Sequence, residues 1–105
     1  MSPPPPPPSI ISSRRIDWAR APQELAAGDL SSLDPETASA IRAAAGNEAI
    51  RRLAAELGLD PVLLVIALLA RAEINYSARR IARAILRGRV YDDTALDAAT
   101  PAMQV

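Results

Sequence analysis

The feature that most constrains the fold is an uninterrupted apolar run over residues 61–70, Pro-Val-Leu-Leu-Val-Ile-Ala-Leu-Leu-Ala. Asp60 before it and Pro61 at its start are typical of a helix N-terminus, where aspartate caps free N–H groups and proline loses no hydrogen bond. A helix that is apolar on every side is stable in water only when other elements surround it. The run has half the ~20 residues that a membrane-spanning helix needs. The sequence therefore predicts the central helix of a soluble domain.

We expect this central helix to extend from Pro61 to about Arg87, because Gly88 is the next residue typical of a helix end. After residue 70 its apolar side chains form a single stripe, and arginines occupy another face. The first half is thus predicted to be enclosed and the second half to expose a basic surface. The stripe consists of Ile74, Ala78, Ile81 and Ile85.

A second helical region is predicted from Pro35 to Leu57, begun by Asp34 and ended by Gly58. Its apolar stripe keeps one phase across Gly46-Asn47. These two residues either kink one helix or divide it into two, and an asparagine N-cap makes division the favoured alternative. Shorter helices are predicted over residues 22–27 and after residue 94.

The first 20 residues differ from the rest of the chain. Pro3 to Pro8 are six consecutive prolines, which have no N–H donors and favour an extended polyproline II conformation. Residues 9–20 mix apolar and polar side chains without a helical or strand period. We therefore predict an arm over residues 1–20, one helical domain over residues 21–100 and a tail over residues 101–105.

The predicted fold class is all-α: a small helical bundle with a long central helix, an extended proline-rich N-terminal arm and a short C-terminal tail. A domain of this size buries only about 60% of the surface that its unfolded chain exposes. A partner or a second copy is therefore expected to cover part of it.

The chain contains no cysteine and no histidine. This excludes disulfides, thiolate zinc sites and thiol nucleophiles, and it removes the commonest general base and transition-metal ligand. Asp92, Asp93 and Asp97 lack the number and spacing of calcium ligands, so we interpret them as capping residues. We expect no enzymatic activity, no metal and no cofactor.

Two groups of side chains are candidates for binding a partner. Bulky apolar residues of the arm predict that it lies across a surface, either of its own domain or of another chain. We expect residues 1–20 to serve association and scarcely folding, with Trp18 the predicted hot spot. Residues 71–90 carry six arginines and one glutamate, a net charge of +5, which suits an acidic protein surface, phosphates or simply solvent. The predicted partner-binding residues are Ile10, Ile11, Ile16, Trp18, Arg79, Arg83 and Arg87.

Residues 54–61, Ala-Ala-Glu-Leu-Gly-Leu-Asp-Pro, are similar to the corner of a helix-turn-helix motif. Recognition of DNA by that motif requires polar side chains on its second helix, whereas Val62, Leu63 and Ile66 occupy the reading positions here. The net charge of zero also gives no overall attraction to nucleic acid. A nucleic-acid-binding or regulatory adaptor that uses the arginine-rich helix face is the alternative function.

The segment Gly58 to Leu64, followed by Glu73 and Tyr76, resembles the opening of the soluble lytic transglycosylase domain. In that family the matching glutamate is the catalytic acid, and a later Met-Gln pair, matched by Met103-Gln104, lines the substrate groove. Ile74 stands where the family has a small residue after the glutamate. The resemblance covers residues 58–76 and implies at most a degenerate fragment of such a domain.

All 12 basic residues are arginine, which indicates a GC-rich bacterial or viral genome. No basic and apolar secretion signal follows Met1. We therefore expect a non-enzymatic accessory or structural subunit, cytoplasmic or virion-associated, that binds other protein subunits in a hetero- or homo-oligomeric assembly and does not span a membrane.

Overall fold

A computed structural model describes residues 16–73, 75–86, 93–99 and 101, and within these ranges the protein consists of six helices without strands. The all-α bundle predicted from the sequence is confirmed. In chain order the helices are α1 (Pro22–Ala26), α2 (Pro35–Ala45), α3 (Glu48–Leu57), α4 (Pro61–Arg71), α5 (Tyr76–Leu86) and α6 (Asp93–Ala99).

Polar caps begin the helices where the sequence predicts them. The Asp34 carboxylate accepts hydrogen bonds from the backbone N–H of Thr37 at 3.0 Å and from its hydroxyl at 2.6 Å. Asp60 and Asn47 each accept a hydrogen bond from the N–H two residues later, both at 2.8 Å. Each bond satisfies a donor that has no partner inside its helix. The segment 35–57 is accordingly two helices, the favoured alternative.

Helix α4 lies at the centre of the core. Its residues 64–70 are all buried, with no side chain more than 3% exposed. Helices α1, α2, α3 and α5 all contact it. The enclosure predicted from the apolar run is therefore confirmed.

The single central helix predicted from Pro61 to Arg87 is wrong in its length, because α4 ends at Arg71 and α5 is a separate helix. The backbone turns after α4, where the N–H of Glu73 donates to the carbonyl of Ala70 at 3.1 Å. This break allows α5 to return along α4 and to bury its apolar stripe, which a straight continuation would carry away from the core.

Asn75 precedes the first residue of α5 and caps the helix. Its side-chain oxygen accepts the N–H of Ser77 at 2.8 Å, and its carbonyl accepts the N–H of Arg79 at 3.0 Å. Asn47 caps α3 in the same way, with its side-chain oxygen accepting the N–H two residues later. Sequence reasoning missed the signal at Asn75.

A sharp corner joins α3 to α4. Gly58 adopts a φ of 68°, which glycine reaches without strain, and the N–H of Leu59 donates to the carbonyl of Ala54 at 2.8 Å. The two helices meet at 95°. No single helix of the described ranges has the length and apolarity to cross a membrane, and only this bent pair taken together meets both measures.

The start of the described chain, residues 16–20 of the predicted arm, contributes two side chains to the core. Ile16 is 5% exposed and Trp18 is 3% exposed, and both belong to the main apolar cluster. Apolar burial against their own domain therefore competes with burial against a partner. The remainder of the predicted arm, residues 1–15, and residues 102–105 of the predicted tail lie outside the described residues.

Candidate partner-binding surface

Helix α5 has one buried face and one exposed face. Ala78, Ile81 and Ile85 are at most 3% exposed and point into the core that α1 and α4 form with α5. Tyr76 and the arginines of α5 recur at three- and four-residue spacings on the opposite side, as helical geometry requires. The exposed residues on this side, which we call the α5 face, are Tyr76, Arg79, Arg80, Arg83 and Ala84.

Arg79 and Arg83 are four residues apart, so they lie one turn apart on α5, ~6 Å along the axis. Within the described part of the chain, no carboxylate forms an ion pair with either of them. Helix α3 differs, because Arg52 donates to Glu48 at 2.7 Å in the same four-residue spacing. The charges of Arg79 and Arg83 are therefore available to a partner.

Tyr76 and Arg80 form a second element of the α5 face. Tyr76 is 73% exposed, and the guanidinium carbon of Arg80 lies 5.9 Å from the centre of its ring. Such a cation–π contact contributes about 0.5–1 kcal/mol at an exposed site. Tyrosine and arginine are enriched among residues that dominate binding at protein interfaces. Sequence reasoning missed this pair, although an aromatic residue and an arginine four apart on a helix were a usable signal.

Two open recesses lie on opposite sides of the α5 face. One, of about 300 Å³, is formed by α1 and α5 and is lined mainly by apolar side chains. The other has a volume of about 270 Å³, and we call it the arginine groove. Its lining residues are Arg71, Arg79, Ala82, Arg83 and Leu86.

Arg71 is fixed at the edge of the arginine groove. Its guanidinium donates to Asp97 of α6 at 2.8 Å, and its side chain is 30% exposed. The bond connects the end of α4 to α6. One arginine of the groove is thus already neutralised within the chain, while the other two are not.

The structure separates the residues that the sequence grouped as partner-binding. Arg79 and Arg83 lie together on the α5 face, and their role in binding remains a prediction. Ile16 and Trp18 lie in the core, and their role in binding a partner also remains a prediction. The other three, Ile10, Ile11 and Arg87, lie outside the described residues.

A further recess, of about 520 Å³, lies between the α1–α2 connection and the start of α4. Asp29, Asp60 and Arg42 line it. The backbone N–H and the side chain of Ser31 donate to Asp29 and hold the pKa of that carboxyl below its ordinary value. The side chains that line this recess carry charges of both signs. In the described ranges, no three potential metal ligands come together. This recess offers no consistent chemistry for a ligand.

The burial of α4 describes the residues at the reading positions of the helix-turn-helix alternative, which itself stays a prediction. Ile66 is 1% exposed, and Val62 and Leu63 are half-buried at the start of the helix. The second helix of the corner is therefore the core of the bundle.

Glu73, which the transglycosylase resemblance places as catalytic acid, is half-buried in the turn between α4 and α5. Met103-Gln104 lies outside the described residues. No family model, curated protein or solved structure matches the chain.

Proposed function

We propose that this protein is a non-enzymatic accessory subunit that binds another protein chain through the α5 face. The observation that carries the proposal is the composition of this face. Tyr76, Arg79, Arg80 and Arg83 are exposed side by side, and the three guanidinium groups have no carboxylate partner among the described residues. Tyrosine next to unpaired arginines is typical of the energetic centre of a protein interface.

The distribution of charge favours a protein over a nucleic acid as the partner. Residues 16–70 carry four arginines and eight carboxylates, a net charge of −4, whereas residues 71–86 carry four arginines and one glutamate, a net charge of +3. A polyanion that extended beyond α5 would meet the acidic remainder of the domain and be repelled. A protein that contacts a single helix face avoids this repulsion.

The test is retention of a native partner by the tagged full chain. The variant R79Q/R80Q/R83Q removes three charges from the α5 face, and R42Q/R51Q/R52Q removes the same number from exposed positions on α2 and α3. We expect the α5 variant to retain at least about tenfold less partner, because interface arginines contribute strongly to binding. The α2–α3 variant should retain the partner as the unmodified chain does.

Both variants should melt as the unmodified protein does, since solvated charges contribute about 0–1 kcal/mol to stability. Equal retention by the unmodified chain and the α5 variant would contradict the proposal. An equal loss in both variants would show that retention depends on net charge alone, which also contradicts it.

A further inference from the structure

We infer that the arginine groove receives an acidic segment of the partner protein that presents an apolar side chain between two carboxylates. This inference rests on the proposed function and specifies the chemistry of the segment that binds there.

The groove combines an apolar floor with basic walls. Ala82 is 7% exposed and Leu86 is 5% exposed, and both line the groove between α5 and the end of α4. Arg79 and Arg83 stand above this floor on the same helix. A ligand that fills the groove therefore needs an apolar group directed at the floor and negative charge at the height of the guanidinium groups.

The number of carboxylates follows from the charges of the groove. Arg71, Arg79 and Arg83 supply three positive charges, and Asp97 already pairs with Arg71 at 2.8 Å. Two positive charges remain, one turn apart on α5. Two carboxylates one turn apart on a helix match that separation of ~6 Å.

The Arg71–Asp97 pair shows the mode of recognition within the protein itself. Asp97 belongs to a helix, and its side chain is still 70% exposed while it accepts the hydrogen bond. A carboxylate on a neighbouring helix therefore reaches an arginine at the edge of this groove without being buried. A partner segment would pair with Arg79 and Arg83 in the same manner.

The apolar floor distinguishes an acidic protein segment from a nucleic acid. A sugar-phosphate backbone supplies negative charge but no apolar group to cover Ala82 and Leu86. An acidic segment with a leucine between its carboxylates supplies both. Charge complementarity and apolar burial thus favour the same ligand.

The experiment measures binding of fluorescent probes to the full chain by anisotropy. The first probe is a synthetic peptide in which glutamates one helical turn apart flank a leucine, and the second has alanine in place of that leucine. A third probe has glutamine in place of the glutamates, and DNA oligomers of the same charge as the first peptide form the last arm. The variant R79Q/R83Q is compared with R51Q/R52Q, which removes two exposed arginines from α3.

We expect the glutamate–leucine peptide to bind, and to bind about tenfold more weakly when leucine becomes alanine, because alanine covers less of the apolar floor. Loss of the glutamates, or the R79Q/R83Q substitution, should weaken binding by at least about tenfold. R51Q/R52Q should bind as the unmodified chain does. DNA of equal charge should bind more weakly than the peptide.

Equal affinity for the leucine and alanine peptides would overturn the inference, because the groove would then recognise charge alone. The inference would also be overturned if DNA bound more tightly than the peptide and the R79Q/R83Q substitution abolished that binding, because the groove would then be a nucleic-acid site. A Kd for the first peptide weaker than about 1 mM would also overturn it. If R79Q/R83Q still retains the native partner while Y76A/R80Q loses it, the proposed function holds and only this inference fails.

Discussion

Trp18 ties the beginning of the described chain to the core. The N–H of Ala19 donates to the Asp17 carboxylate at 3.2 Å, and the N–H of Arg20 donates to the Asp17 carbonyl at 3.2 Å. The turn places the indole among the buried side chains, where it is 3% exposed. A tryptophan buries ~150–250 Å² of surface, so it contributes strongly to so small a domain.

Replacing Trp18 by alanine should lower the free energy of unfolding by about 3–5 kcal/mol, because the substitution leaves a cavity in the core. The free energy of unfolding of a native domain is about 5–15 kcal/mol, so the substitution would remove a large part of it. Urea denaturation of the full chain measures the change. Arg20→Ala, at an exposed neighbouring position, should alter stability by no more than about 0.5 kcal/mol. If Trp18→Ala denatures at the same urea concentration as the unmodified chain, residues 16–20 do not belong to the folding unit.

The sequence shows that Ile16 and Trp18 are too apolar for an inert linker, but not which surface buries them. Other members of the same apolar cluster, such as Leu64, are far away along the chain. The local pattern of apolar residues in a sequence does not predict contacts between segments that are far apart along the chain. The structure buries both side chains in the core of the chain itself, and the role of residues 1–20 in association stays a prediction.

At the level of helices, capping residues decide where each element ends. Asp34 and Asp60 were identifiable because proline follows each of them at the start of a helical segment, and Asn47 because it follows Gly46 and precedes Glu48. Asn75 was not, because residues 61–70 are apolar on all sides and have no stripe whose phase could change at a break. Periodicity alone cannot distinguish one long helix from two helices that fold back on each other in such a sequence.

Asn75→Ala should lower the free energy of unfolding by about 1 kcal/mol, because the first turn of α5 loses the oxygen that accepts the N–H of Ser77. Asn75→Asp keeps an acceptor and should be close to the unmodified chain in stability. Thermal denaturation followed by circular dichroism measures both variants. If Asn75→Ala is more stable and more helical than the unmodified chain, a continuous helix from Pro61 describes the protein better.

For the whole molecule, the separation of charge is the property that relates fold to proposed function. The acidic part of the chain folds around α4, while the basic part forms α5 and the end of α4. The arginine-rich helix face was visible in the sequence. The two recesses were not, because each needs α5 to lie against another element, α1 in one case and the end of α4 in the other.

The most direct test of the central claim is protection of the α5 face in the bound state. The chain contains no cysteine, so Ala84→Cys on α5 and Ala55→Cys on α3 each place one thiol at an exposed position. The measurement is the rate of maleimide labelling of each full-length variant, alone and bound to its native partner. We predict that partner binding slows labelling at position 84 by about tenfold or more, because interface cores exclude solvent, and leaves position 55 unchanged. Unchanged labelling at position 84 in the bound state, or protection at position 55 instead, would contradict the assignment of α5 as the docking surface.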